Sequence, residues 1–171
     1  MARKYSNSSQ SSGYTILVID DHPVAREVMA DTFRLKGCRV ITAADGAHGI
    51  ARVAEVLPDA FVSDLHMPRG DAFDVLRHLR QRTGTMHVPV IVMTFEATPD
   101  LENQCLQMGA TAFVNKNDPP SHLVGVVSSV LAETASEAAY AQDVPPVRHV
   151  LLSFRAGVAG GCLRHPPATG N

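Results

Sequence analysis

Five short stretches of the chain are rich in apolar and β-branched residues: "TILVID" (15–20), "RVITA" (39–43), "AFVSD" (60–64), "VPVIVMT" (88–94) and "TAFVNK" (111–116). Several are apolar at consecutive rather than alternating positions, the pattern of strands buried on both faces. Between them the spacing changes to that of helices. Ala47, Ile50, Ala51, Ala54 and Leu57 fall on one helical face, and so do Leu101, Cys105 and Met108 further on. Leu123, Val126, Val127, Val130 and Leu131 form a third such face. Polar residues ahead of prolines mark helix starts at Asp21-His22-Pro23, Thr98-Pro99 and Asp118-Pro119. Pro89 falls at the start of its strand, where a missing N–H is tolerated. Strand and helix alternating five times predict right-handed crossovers. The expected fold is α/β, a five-stranded parallel sheet with helices on both faces.

Composition changes this picture mainly at the two ends. Of 171 residues, 45% are hydrophobic and 19% charged, which suits one globular domain with some additional chain. Residues 1–13 are rich in Ser, Asn and Gln and predict a disordered N-terminal segment. The domain is expected over 14–136, followed by an Ala/Gly/Pro-rich, flexible tail over 137–171. In that tail Val147, Val150, Leu151 and Phe154 share one face of a short helical pattern, which the following Gly and Pro residues interrupt. A net charge of -2 gives no electrostatic reason to expect nucleic acid or an anionic membrane as partner. Cys38, Cys105 and Cys162 are far apart, with no C-x-x-C spacing, which predicts neither a disulfide framework nor a zinc site. There is no apolar signal core and no run of about 18 apolar residues, so a soluble, cytoplasmic protein is expected.

The candidate chemistry lies at the strand ends. In an open parallel sheet ligands bind outside the carboxyl ends of the strands. Four of those ends carry reactive or charged groups: Asp20-Asp21, Asp64, Thr94 and Lys116. Carboxylates gathered there repel one another and call for a cation, and an all-oxygen donor set suits Mg²⁺. A lysine and a hydroxyl facing the same point complete a phosphate-binding corner. Asp64 and Asp21 have a plainer alternative as loop or helix caps, and Asp71, with Asp74 three residues on, reads as the cap of the third helix.

"VIDDHP" (18–23), "SDLHMP" (63–68), "VMT" (92–94) and "FVNK" (113–116), in this order, resemble the receiver domain of two-component response regulators. The spacing matches too, with Thr94 30 residues after Asp64 and Lys116 22 after Thr94. The resemblance implies a flavodoxin-like (βα)5 fold with strand order 2-1-3-4-5. It implies that Asp64 is the phosphoacceptor, served by a sensor histidine kinase or phosphotransfer protein. Asp20, Asp21, Asp64 and the backbone carbonyl of His66 would hold Mg²⁺, while Thr94 and Lys116 would bind the phosphoryl oxygens. Thr94 and Phe113 would form the switch, altering the face of the fourth helix, fifth strand and fifth helix for a downstream partner or a homodimer. Such a module is not an independent enzyme. Phosphoryl transfer asks a protein mainly for alignment and charge neutralisation, which these residues supply.

Other readings use the same residues. A DNA-binding regulator lacking its helix-turn-helix output is one, since "VRHVLLSFRAG" loosely resembles a first output helix with no recognition helix after it; no DNA binding is expected of this chain. A pseudo-receiver that accepts no phosphate is another. A Mg²⁺-dependent phosphatase would want an acid two residues after Asp64, where His66 stands. Three positions depart from the family pattern. Phe95 is bulky after the threonine, Ala72 replaces a glycine, and Asn117 replaces a proline. Ala resists backbone conformations open to Gly, so the 68–73 loop is expected to differ. The Lys116-Asn117 bond is expected to be trans or strained, since a non-proline cis bond costs about 3 kcal/mol.

Overall fold

The computed structural model describes residues 13–143. Within them the strands are β1 (Thr15–Ile19), β2 (Arg39–Ala43), β3 (Ala60–Asp64), β4 (Val90–Thr94) and β5 (Ala112–Asn115). The helices are α1 (Pro23–Arg34), α2 (Gly46–Glu55), α3 (Ala72–Arg80), α4 (Pro99–Gln107) and α5 (Pro120–Asp143). The strands form one parallel sheet in the order β2-β1-β3-β4-β5. The sequence-derived fold class is therefore the observed one.

The period of two along each strand divides the core in two. Ile16 and Val18 of β1 pack with Phe33 of α1 and Leu123, Val127 and Leu131 of α5. Leu17 and Ile19 face the other way, into a cluster with Val53 of α2, Leu76 and Leu79 of α3 and Cys105 of α4. β3 and β4 are buried at every position, because both neighbours and both faces are covered. That coverage explains their unbroken apolar runs. The edge strands β2 and β5 are partly exposed.

Several local expectations are corrected. The buried face of α2 is Gly46, Gly49 and Val53, while Ala47, Ala51 and Ala54 are exposed and Leu57 lies beyond the helix. A Cβ on Gly49 would lie 2.4 Å from the Ile19 side chain, so the missing side chains let this helix sit against the sheet. His22, not Asp21, caps α1, its ring nitrogen accepting from the Ala25 N–H. Thr98 caps α4 as the Thr-Pro step predicts, whereas α5 starts at Pro120, one residue after the Asp118-Pro119 step. α5 also runs on to Asp143, past residue 136, where the composition changes. Residues 1–12 and 144–171, including the Val147–Phe154 stretch, lie outside the described residues. Among the described residues no helix is long and apolar enough to cross a membrane.

Candidate functional site

Parallel pairing brings the carboxyl ends of all the strands to one edge. Asp20 follows β1, Asp64 ends β3, Thr94 ends β4 and Lys116 follows β5, on four adjacent strands. Lys116 reaches back across two strands. Its Nζ lies 2.7 Å from Asp20 Oδ2 and 2.8 Å from Asp64 Oδ1. Asp20 is fully buried and the lysine side chain only 7% exposed, so these charges depend on one another for solvation. The backbone completes the arrangement. The His22 N–H donates to Asp20 Oδ1 at 2.8 Å, Arg26 Nη1 donates to the Asp20 carbonyl at 2.5 Å, and the Lys116 N–H donates to the Thr94 carbonyl at 2.8 Å.

Asp64 is held above the usual carboxylate range. Burial is the main cause, and the negative charge of Asp20 adds to it. The Lys116 ammonium acts against both without cancelling them. Asp21 stands exposed beside them, and carboxylate oxygens of Asp20, Asp21 and Asp64 lie within 4.8 Å of one another. Three carboxylates thus face one ammonium, and every donor is oxygen. A hard divalent cation such as Mg²⁺ fits both the charge and the donor set. His66, two residues after Asp64, sits in the exposed part of the β3–α3 loop.

Thr94 is buried, and its Oγ1 accepts from the Glu96 N–H at 3.1 Å. Phe113 pairs with Val92 in the β4–β5 register and packs, half-buried, against the α2–α3–α4 cluster. Asp71 caps α3 by accepting from the Asp74 N–H at 3.0 Å, as its sequence position predicts.

The departures from the family pattern are accommodated locally, and the bond before Asn117 is trans as expected. Ala72 is the buried first residue of α3, and its N–H donates to the Leu65 carbonyl. The left-handed backbone positions of this loop fall earlier, on Arg69 (φ 57°) and Gly70 (φ 105°), so alanine at 72 meets no glycine-only requirement. No peptide bond among the described residues is cis. Asn117 instead uses its side chain, donating from Nδ2 to the Phe95 carbonyl at 3.3 Å. The Phe95 ring, 62% exposed, lies 5.3 Å from Lys116 Nζ, within cation–π range.

Other residues near the site are not evident from the strand-end motifs. Arg26 and the His22 N–H both serve Asp20. Asp45, 1% exposed, caps α2 and binds Arg69 of the β3–α3 loop. Its carboxyl is held below the usual range by the His48 N–H first and the Arg69 guanidinium next. An Asp-Gly step ahead of a helical stretch is a readable cap signal for Asp45. Nothing local marks Arg69.

The family model described as response regulator receiver domain matches residues 16–128. The sensory/regulatory protein RpfC of Xanthomonas campestris pv. campestris is 31% identical over 157 residues, covering 91% of this chain. The chain spans 21% of that relative's length. Among solved structures, the chemotaxis protein CheY4 of Vibrio cholerae is 26% identical, with a TM-score of 0.66 over 70% of this chain and 99% of its own. The receiver domain of the sensor histidine kinase PA1611 from Pseudomonas aeruginosa, solved with a magnesium ion in its active-site cleft, is 26% identical. It aligns over 71% of this chain and 99% of its own with a TM-score of 0.65. Matched over most of its length by the family model, and folded in that family's strand order, this chain belongs to the response-regulator receiver domains of two-component signalling.

Proposed function

We propose that Asp64 accepts a phosphoryl group from a phosphohistidine on a sensor histidine kinase or phosphotransfer protein. The observation that carries this reading is Lys116, which bridges Asp20 and Asp64 at 2.7 and 2.8 Å from the far side of the sheet edge. An Asp64 oxygen attacks phosphorus as the donor's N–P bond breaks, and the electron pair returns to the imidazole. Asp20, Asp21, Asp64 and the His66 carbonyl would hold Mg²⁺, which supplies charge neutralisation and alignment for the phosphoryl oxygens. Lys116 turns its ammonium from the carboxylate to a phosphoryl oxygen. Thr94 already accepts the Glu96 N–H, and its hydroxyl proton serves as the second donor.

Phosphorylation replaces a buried carboxylate by a larger and more highly charged group. Thr94 is drawn toward it, and Phe113, on the neighbouring strand β5, moves into the space vacated. The α4–β5–α5 face then presents a different surface to a downstream protein or a second copy of the chain. Its role is that of a signalling switch rather than an enzyme for an external substrate.

Phosphotransfer from candidate kinases in the presence of Mg²⁺ tests the site. One acid-stable, base-labile acyl phosphate is expected, located on Asp64 by peptide mass spectrometry. Equal labelling of Asp64→Asn and the parent protein overturns the assignment.

A further inference from the structure

The β3–α3 loop is closed at its base and docked at its tip. At the base, the Leu65 N–H donates to the Met93 carbonyl at 2.7 Å, and the Leu65 carbonyl accepts from the Ala72 N–H at 3.1 Å. At the tip, the Gly46 and Ala47 N–H groups of α2 donate to the carbonyls of Gly70 and Arg69, both at 3.1 Å. The approach is close. A Cβ on Gly46 would lie 2.3 Å from the Gly70 oxygen, so only glycine fits there.

One ion pair ties this contact together. Asp45 Oδ2 accepts from Arg69 Nη2 at 2.7 Å and Nε at 3.1 Å, a two-pronged contact to one oxygen. The other oxygen, Oδ1, caps α2 through the His48 N–H at 2.8 Å. Arg69 sits in a left-handed conformation, which is unfavourable for a residue with a side chain. Both of its polar ends are held by α2, its carbonyl by Ala47 and its guanidinium by Asp45.

We propose that Asp45 and Arg69 are positioning residues whose ion pair clamps the 65–71 loop onto α2 and so holds the His66 carbonyl beside the acid cluster, setting the affinity for the divalent cation. The proposal rests on the metal arrangement given under the proposed function. His66 lies between the two anchors, three residues before Arg69 and next to Leu65. Without the ion pair the tip keeps only its two backbone hydrogen bonds to α2, and the direction of the carbonyl is less firmly held. Supporting contacts of this kind tune metal affinity by about 10- to 100-fold.

Isothermal titration calorimetry with Mg²⁺ on the full chain provides the test. Asp45→Asn retains a good helix cap but loses the charge, and Arg69→Met retains the stem but loses the guanidinium. Each is expected to raise the Mg²⁺ dissociation constant about tenfold. The double variant is expected to cost little more than either alone, since one contact is being removed. Amide exchange at Gly46 and Ala47 should accelerate in both variants, reporting the released loop where a general loss of stability would speed exchange throughout. If the parent binds Mg²⁺ and both variants bind within twofold of it, this inference falls and the proposed function stands. If the parent itself binds no Mg²⁺, the metal arrangement fails and the inference fails with it.

Discussion

Asp64 carries opposing demands. Its position at the end of a fully buried strand makes its nucleophilic oxygens well oriented, and the same burial disfavours its charge. A carboxyl raised above its unfolded value takes up protons more readily when folded. Stability therefore declines as pH rises through that raised value, and the penalty is complete once Asp64 is ionised in the folded state. Asp64→Asn removes the penalty and leaves the Asp20–Lys116 pair in place. Without divalent cations the variant is expected to unfold at a higher temperature than the parent at pH 7. The difference should shrink as pH falls through the Asp64 titration. A variant less stable than the parent at neutral pH would mean that the Lys116–Asp64 contact outweighs desolvation. Asp64 is legible in the sequence because it ends an apolar run. That Lys116 touches both it and Asp20 is not, since 96 residues separate the lysine from Asp20.

Among the elements, the helix starts are legible where a side chain caps its own turn. Asp71 and Thr98 behave as their sequence positions predict, because a cap acts within three residues. His22 takes the cap of α1, while Asp21, one residue earlier, stands exposed beside the acid cluster. The face of α2 is set by packing, which the apolar pattern does not reveal. Its alanines look apolar, but the buried positions are Val53 and two glycines, Gly49 against Ile19 and Gly46 against Gly70 and Val75. Arg80 shows how elements far apart in sequence are joined. From the last turn of α3 it donates twice to the Gly109 carbonyl, at 3.0 and 2.7 Å, and once to the Val88 carbonyl at 2.9 Å. It thereby fixes the start of β4 and the turn before β5, the two strands that carry Thr94 and precede Lys116. Arg80→Met leaves these carbonyls without their donor and is expected to cost about 2 kcal/mol or more in urea unfolding. Labelling of Asp64 in the remaining folded protein should persist, since Arg80 lies at the opposite ends of the strands. An unchanged urea midpoint would show that water replaces the guanidinium.

For the whole molecule, the acid cluster is a site of stored repulsion that a ligand relieves. Anything that binds the folded form alone stabilises it by mass action, about 2.7 kcal/mol at a concentration one hundred times its dissociation constant. For a domain of this size that corresponds to roughly 5–10 °C in melting temperature. Mg²⁺ is expected to raise the melting temperature in this way, chelation to reverse it, and Asp20→Asn or Asp21→Asn to remove most of the shift. A Mg²⁺ response undiminished in both variants would place the cation elsewhere.

The alternation of buried strands and amphipathic helices, and with it the α/β class, the doubly covered sheet and the acids at the strand ends, is legible in the residues alone. These follow from local rules, since burial dictates apolar runs and periodicity dictates which face is covered. The contacts made among those strand ends belong to the folded molecule. Folding brought Lys116 onto Asp20 and Asp64, used Asn117 to hold the Phe95 carbonyl, and set Arg69 against Asp45. It also moved the left-handed backbone of the β3–α3 loop away from Ala72 and onto Arg69 and Gly70. Those contacts join residues separated by tens of positions, and their geometry depends on the sheet order and on helix-to-sheet distances of a few ångströms, which no local pattern encodes.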